Sequence, residues 1–226
     1  MPSIRKVAAF AKKTKPKRII CGGDLLDKYL LSTHAKRHFE AMRSTEIRKE
    51  VRQAVDCLAL FAEHSRDKML WLKGNHDDRF DRRLDEVPGL GIYLDEILDG
   101  ESVYDLIAKK AGDNVEFVPS GDVVLPNRPY ADIWFRHGDR SAAYAGGAAI
   151  AGVRDSHLSV VQGHTHAAGG GWVVAGKAFG YEAGHLADPT HYAFGYDPRA
   201  RRRFHKWSRA FFYVDRWGRP NLVSMN

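Results

Sequence analysis

The stretch Val160-Val161-Gln162-Gly163-His164-Thr165-His166 runs a short β-branched segment into a glycine and then into two histidines at alternate positions. Branched residues favour a strand, and glycine lets the backbone turn sharply or approach a ligand closely. Three other stretches repeat the layout. Ile19-Ile20-Cys21-Gly22-Gly23-Asp24-Leu25-Leu26-Asp27 carries a strand into glycine and then carboxylates, and Met69-Leu70-Trp71-Leu72-Lys73-Gly74-Asn75-His76-Asp77 carries one into Asn, His and Asp. Ile133-Trp134-Phe135-Arg136 is followed by His137-Gly138-Asp139. Alone, Gly163-His164-Thr165-His166 after a strand reads as functional more often than structural, and the other three stretches are weak. A Gly-Asp turn is most often structural, Asn-His-Asp reads as a turn or a cap, and His-Gly-Asp says nothing by itself. Four predicted strand ends that all deliver metal-competent side chains are hard to explain as packing, and together they predict a shared metal site.

Around these stretches lies an ordinary globular composition. The 226 residues suit one domain with a full core. No apolar run approaches the ~20 residues needed to span a bilayer. The two cysteines, Cys21 and Cys57, fall in apolar settings and read as core thiols, which fits a reducing compartment such as the cytoplasm. A net charge of +7 favours anionic partners, phosphate esters first and nucleic acid second.

In chain order, residues 3–14 read as a helix with Arg5, Lys6, Lys12 and Lys13 outward, ended at Lys15-Pro16 because the residue before proline is pushed out of the α region. A strand over 18–22 follows. Residues 35–65 read as a long helix with a stripe at Ile47, Val51, Ala54, Leu58 and Phe61. His34 and His38, four apart on its first turns, read as ordinary surface or half-buried histidines. A strand is expected at 68–73, then a charged helical turn from Asp78 to Glu86 closed by Pro88-Gly89. A short helix over 102–111 precedes strands at 115–118 and 122–125. A strand at 132–136, an alanine- and glycine-rich helix within 141–156 and a strand at 158–162 complete the central part. Gly169-Gly170-Gly171 reads as a flexible loop, and 172–174, 211–214 and 221–224 as strands of a second sheet. The basic run at Arg199 and 201–203 reads as a solvated loop, with a phosphate-contacting patch as the alternative. Alternating strands and helices argue for an α/β domain with partly parallel strands.

Asp24, Asn75, His137 and His164 offer one carboxylate, one amide oxygen and two imidazoles. Such mixed oxygen and nitrogen donors suit Mn²⁺, Fe²⁺ or Zn²⁺ and argue against a cysteine-rich structural zinc. In open α/β sheets, ligands gather beyond the carboxyl ends of strands, where all four lie.

The motifs in combination resemble those of the calcineurin-like metallophosphoesterases, and more narrowly their short bacterial and phage forms. The family pattern is Asp-x-His, Gly-Asp-x-x-Asp, Gly-Asn-His-Asp/Glu, a His usually followed by Gly, and Gly-His-x-His. The last four correspond to Gly23-Asp24-Leu25-Leu26-Asp27, Gly74-Asn75-His76-Asp77, His137-Gly138 and Gly163-His164-Thr165-His166, and the likeness runs from residue 17 to about 190. It implies two facing mixed β-sheets flanked by helices, an αββα sandwich. It also implies two divalent metals, Mn²⁺ foremost, that activate a water for hydrolysis of a phosphomonoester or phosphodiester.

By that resemblance Asp24 bridges the metals, Asn75, His137 and His164 complete one shell, and His166 belongs to the other. His76 corresponds to the catalytic histidine that protonates the leaving oxygen, and Asp27 to the carboxylate that orients it. The family's Asp-x-His motif has no counterpart, because no Asp or His precedes Asp24. The expectation is a single domain over 1–226, incomplete at its N-terminus and missing the first strand. The competing readings are a chain that uses one metal or recruits substitute ligands and a catalytically impaired remnant that binds metal or nucleic acid.

Overall fold

The computed structural model describes residues 2–27, 44–174, 176–187 and 207–225. His34, His38, the start of the expected long helix and the basic run at 199–203 lie outside them. The elements in order are α1 (Pro2–Thr14), β1 (Ile20–Cys21), α2 (Ser44–Ala62), β2 (Met69–Leu72), α3 (Arg79–Asp85), α4 (Pro88–Ile97), α5 (Val103–Ala111) and β3 (Val115–Val118). Then come β4 (Asp122–Leu125), β5 (Ile133–Arg136), α6 (Gly147–Ser156), β6 (Ser159–Gln162), β7 (Ala168–Val174), β8 (Ala178–Ala183), β9 (Ala210–Val214) and β10 (Pro220–Ser224). The fold is mixed α/β, and the chain forms two compact units, 8–119 and 1–7 with 120–226.

In the unit 8–119, β1, β2 and β3 form a parallel sheet with β2 at its centre. All four residues of β2 are buried, as a central parallel strand covered on both faces requires. Helix α2 sends Ala54, Leu58, Phe61 and Ala62 inward at helical spacing. Trp71, Tyr104 and Phe117 form an aromatic knot, Tyr104 stacked on Phe117 at 4.7 Å and Trp71 edge-on to Phe117 at 5.0 Å. Cys21 and Cys57 are free thiols. Burial, with Cys57 adding to it, pushes the Cys21 thiol up to about 12, and burial pushes Cys57 up to about 11. Both therefore stay protonated, as core thiols do.

The unit 1–7 with 120–226 holds a five-stranded mixed sheet in the order β4-β5-β6-β8-β7. Strands β5, β6 and β8 are mutually parallel, and β4 and β7 run antiparallel at the edges. Helix α6 covers one face through Ala149 and Val153 against Val160 and Ala178. On the other face Ile133, Val161 and Phe179 meet Phe212 and Val214 of the antiparallel β9–β10 pair.

Three expectations change. Pro88-Gly89 does not close the charged turn but opens α4, with proline in the first turn, where its missing N–H costs nothing. Gly169-Gly170-Gly171 is not a loop. It belongs to β7 and pairs with residues 180–182 of β8, a strand that the sequence reading did not identify. Glycine is required at Gly170, because a Cβ there would sit 2.0 Å from the Gly180 carbonyl oxygen. Strand 172–174 consequently joins the edge of the large sheet rather than the β9–β10 pair.

Candidate metal and catalytic site

In the unit 8–119, the turns after β1 and β2 emerge side by side because those strands are parallel neighbours. Asp24 lies in the left-handed region at φ 55°, and its Oδ1 accepts the His76 backbone N–H at 2.8 Å. No side chain fits at Gly74: a Cβ would lie 2.3 Å from both the nitrogen and Oδ1 of Asp24. Asp77 is fully buried. Its Oδ2 accepts from the Gly74 N–H at 2.8 Å and the Asp24 N–H at 3.1 Å, and its Oδ1 from the Leu26 N–H at 3.3 Å. The Asn75 carbonyl accepts from Arg82 at 2.9 Å. Lys73 pairs with Asp78 at 2.9 Å and Asp81 at 2.6 Å, tying the end of β2 to α3.

His76 Nδ1 lies 2.9 Å from Asp27 Oδ1. Arg79, at the start of α3, donates to the same oxygen at 3.1 Å and to the Asp27 carbonyl at 2.5 Å. Burial works against ionisation of Asp27. The His76 hydrogen bond and the His76 and Arg79 charges outweigh it and hold the carboxyl below its usual value. The result is an Arg79–Asp27–His76 relay in which the imidazole's orientation is fixed through one nitrogen.

In the other unit, His137 and His164 follow β5 and β6, which are parallel and in register up to Arg136 and Gln162. Their ring centroids are 5.3 Å apart at 81°, a spacing at which two imidazoles can address one cation. The Gly163 N–H is shared between the carbonyls of Arg136 at 3.3 Å and His137 at 3.1 Å, which ties the two turns together. His164 and His166 both adopt left-handed backbone, φ 54° and 58°. His166 packs edge-on against Trp207 at 4.3 Å and lies 5.7 Å from the ring of His185. Burial and the charge of Arg209 hold His185 below the usual histidine value, so its ring is neutral near pH 7.

The predicted residues are thus grouped as Asp24, Asp27, Asn75 and His76 in one unit and His137, His164 and His166 in the other. Within either unit, among the described residues, no three His, Cys, Asp or Glu side chains form a complete metal cage. The donor set fits divalent metal ions in its chemistry: carboxylate, amide oxygen and imidazole, all on turns at strand ends. Sequence reading missed Asp77 and Arg79, which hold site residues, and His185, whose ring neighbours His166. Asp77 stands in a quoted motif, but two of its three N–H partners, Asp24 and Leu26, come from tertiary folding. Arg79 and His185 carry no motif signal.

The family model described as calcineurin-like phosphoesterase matches residues 2–181. The chain belongs to that family of phosphoester hydrolases, whose members generally use divalent metal ions. Comparison with curated proteins and with solved structures gave no match.

Proposed function

We propose that this protein is a metal-dependent phosphohydrolase that cleaves a phosphomonoester or phosphodiester with water. The observation that supports it most is the His76–Asp27 contact at 2.9 Å, buttressed by Arg79. Metal binding alone does not need such a relay, whereas proton delivery to a leaving oxygen does. In this reading Asp24, Asn75, His137, His164 and His166 hold the metal ions. A bound divalent metal supplies Lewis acidity and neutralises charge on the phosphoryl oxygens. Asp27 holds the ring of His76 through Nδ1, leaving Nε2 to hand a proton to the departing oxygen. Arg79 keeps the Asp27 carboxylate ionised and aimed. The net charge of +7 favours an anionic substrate, with nucleic acid as one candidate.

The test is hydrolysis of bis(p-nitrophenyl) phosphate and p-nitrophenyl phosphate with added Mn²⁺. The wild-type chain turns over, and His76→Ala lowers kcat by about 10²–10⁴-fold, the scale of a lost general acid. Asn75→Ala weakens Mn²⁺ dependence as well as rate. Wild-type rates in both variants would overturn the assignment. Mn²⁺ binding with no turnover in any form of the chain would favour the impaired, metal-binding reading instead.

A further inference from the structure

We infer that Asp77 is a positioning residue that sets the conformation of Asp24 and thereby the metal affinity of the site; this rests on the reading of Asp24 as a metal ligand. The fully buried Asp77 carboxylate accepts backbone N–H groups from Asp24 and Leu26 after β1 and from Gly74 after β2. A carboxylate removed from water must be compensated by donors, and charge-assisted bonds to N–H groups are the strong kind. The bonds from Asp24 and Leu26 also join two turns that are more than fifty residues apart in the chain. They grip Asp24 from its backbone side while the His76 N–H grips its carboxylate from the other. Between them, Asp24 is held at a positive φ that a non-glycine residue rarely adopts without such restraint. Gly74 completes the device, because any Cβ there would collide with Asp24. Asp77 would act on a bound metal only through Asp24, the ligand it orients.

The test compares wild type, Asp77→Asn and Asp24→Asn in three measurements. Hydrogen exchange by mass spectrometry reads the turns without any metal. Asp77→Asn is expected to accelerate exchange at residues 23–27 and 73–76 while leaving α5 and β3 unchanged. Mn²⁺ affinity, measured from free Mn²⁺ by electron paramagnetic resonance, is expected to fall about 10–100-fold in Asp77→Asn, the scale of lost support to a ligand. Asp77→Glu, which keeps the charge, is expected to recover part of it. Circular dichroism establishes that the variants are folded. If Asp77→Asn does not fold, Gly74→Ala, whose Cβ presses on Asp24 from the same turn as Asp77, is read in the same way.

Unchanged exchange in the two turns would overturn the inference whatever the metal data show. Faster exchange with unaltered Mn²⁺ affinity would also overturn it, because Asp77 would then serve stability alone. Failure of the wild-type chain to bind Mn²⁺ would instead remove the metal reading of Asp24, an outcome separable from the others because the exchange data are independent of metal.

Discussion

Three of the residues proposed to hold metal, Asp24, His164 and His166, stand in the left-handed region. For an L-residue this costs roughly 1–2 kcal/mol each, and such strain persists where the surroundings over-determine it. The sequence showed these residues through the glycines beside them and the branched runs before them, which is local chemistry. It did not show Asp77 clamping two turns or Arg79 bracing Asp27, because those contacts depend on the parallel pairing of β1 with β2. Asp27 also carries a pH prediction. Its folded value lies below the ordinary one, so its contribution to stability is present above the unfolded carboxyl value near pH 4 and is lost as pH falls through the lower folded value. Urea denaturation of wild type and Asp27→Asn should therefore show a stability gap at pH 6 that closes below about pH 4. A gap independent of pH would mean that the shift is not in the carboxyl.

At the scale of elements, the strands at 115–118, 122–125 and 133–136 were legible because branched and aromatic runs are bounded by turn residues. Strand β8 was not, because its burial follows no simple alternation: α6 covers one face and Phe212 the other. The glycine triplet misled for a related reason. Glycine signals flexibility in isolation, but here it lets β7 lie against its neighbour. Helix α6 begins at Gly147 without a capping side chain from its own N-cap residue. Its first turn is served instead from the sheet. The fully buried Glu182 of β8 accepts from the Gly146 N–H at 2.9 Å and the Ala148 N–H at 3.3 Å. Glu182→Ala should cost about 2–4 kcal/mol, since it leaves two buried donors unsatisfied. Chemical denaturation checks this, and a loss below about 1 kcal/mol would mean that water replaces the carboxylate.

At the scale of the molecule, a family match over residues 2–181 leaves β9 and β10 outside it, although Phe212 and Val214 pack on the core of the large sheet. The site chemistry predicts how the whole chain responds to metal. A ligand that binds only the native state stabilises it by about 2.7 kcal/mol at one hundred times its Kd. For a chain of this size that corresponds to a Tm rise of roughly 5–10 °C with saturating Mn²⁺, reversed by EDTA. Mg²⁺ and Ca²⁺, which prefer all-oxygen shells, should shift it less. An unchanged Tm across metals would count against any native-state metal site.

The parallel pairing of β1 with β2 bears finally on how the protein is made. Ile20 finds its partner at Leu70. Translation at about 5–20 residues per second separates the two by roughly 3–10 s. A two-stranded hairpin could close within microseconds of emerging, but this edge must wait. During that interval the apolar Ile19-Ile20-Cys21 segment leaves the ribosome without its β2 partner. It is a place where a nascent chain would meet a chaperone, and where slowing synthesis ahead of residue 70 would reduce the yield of folded protein.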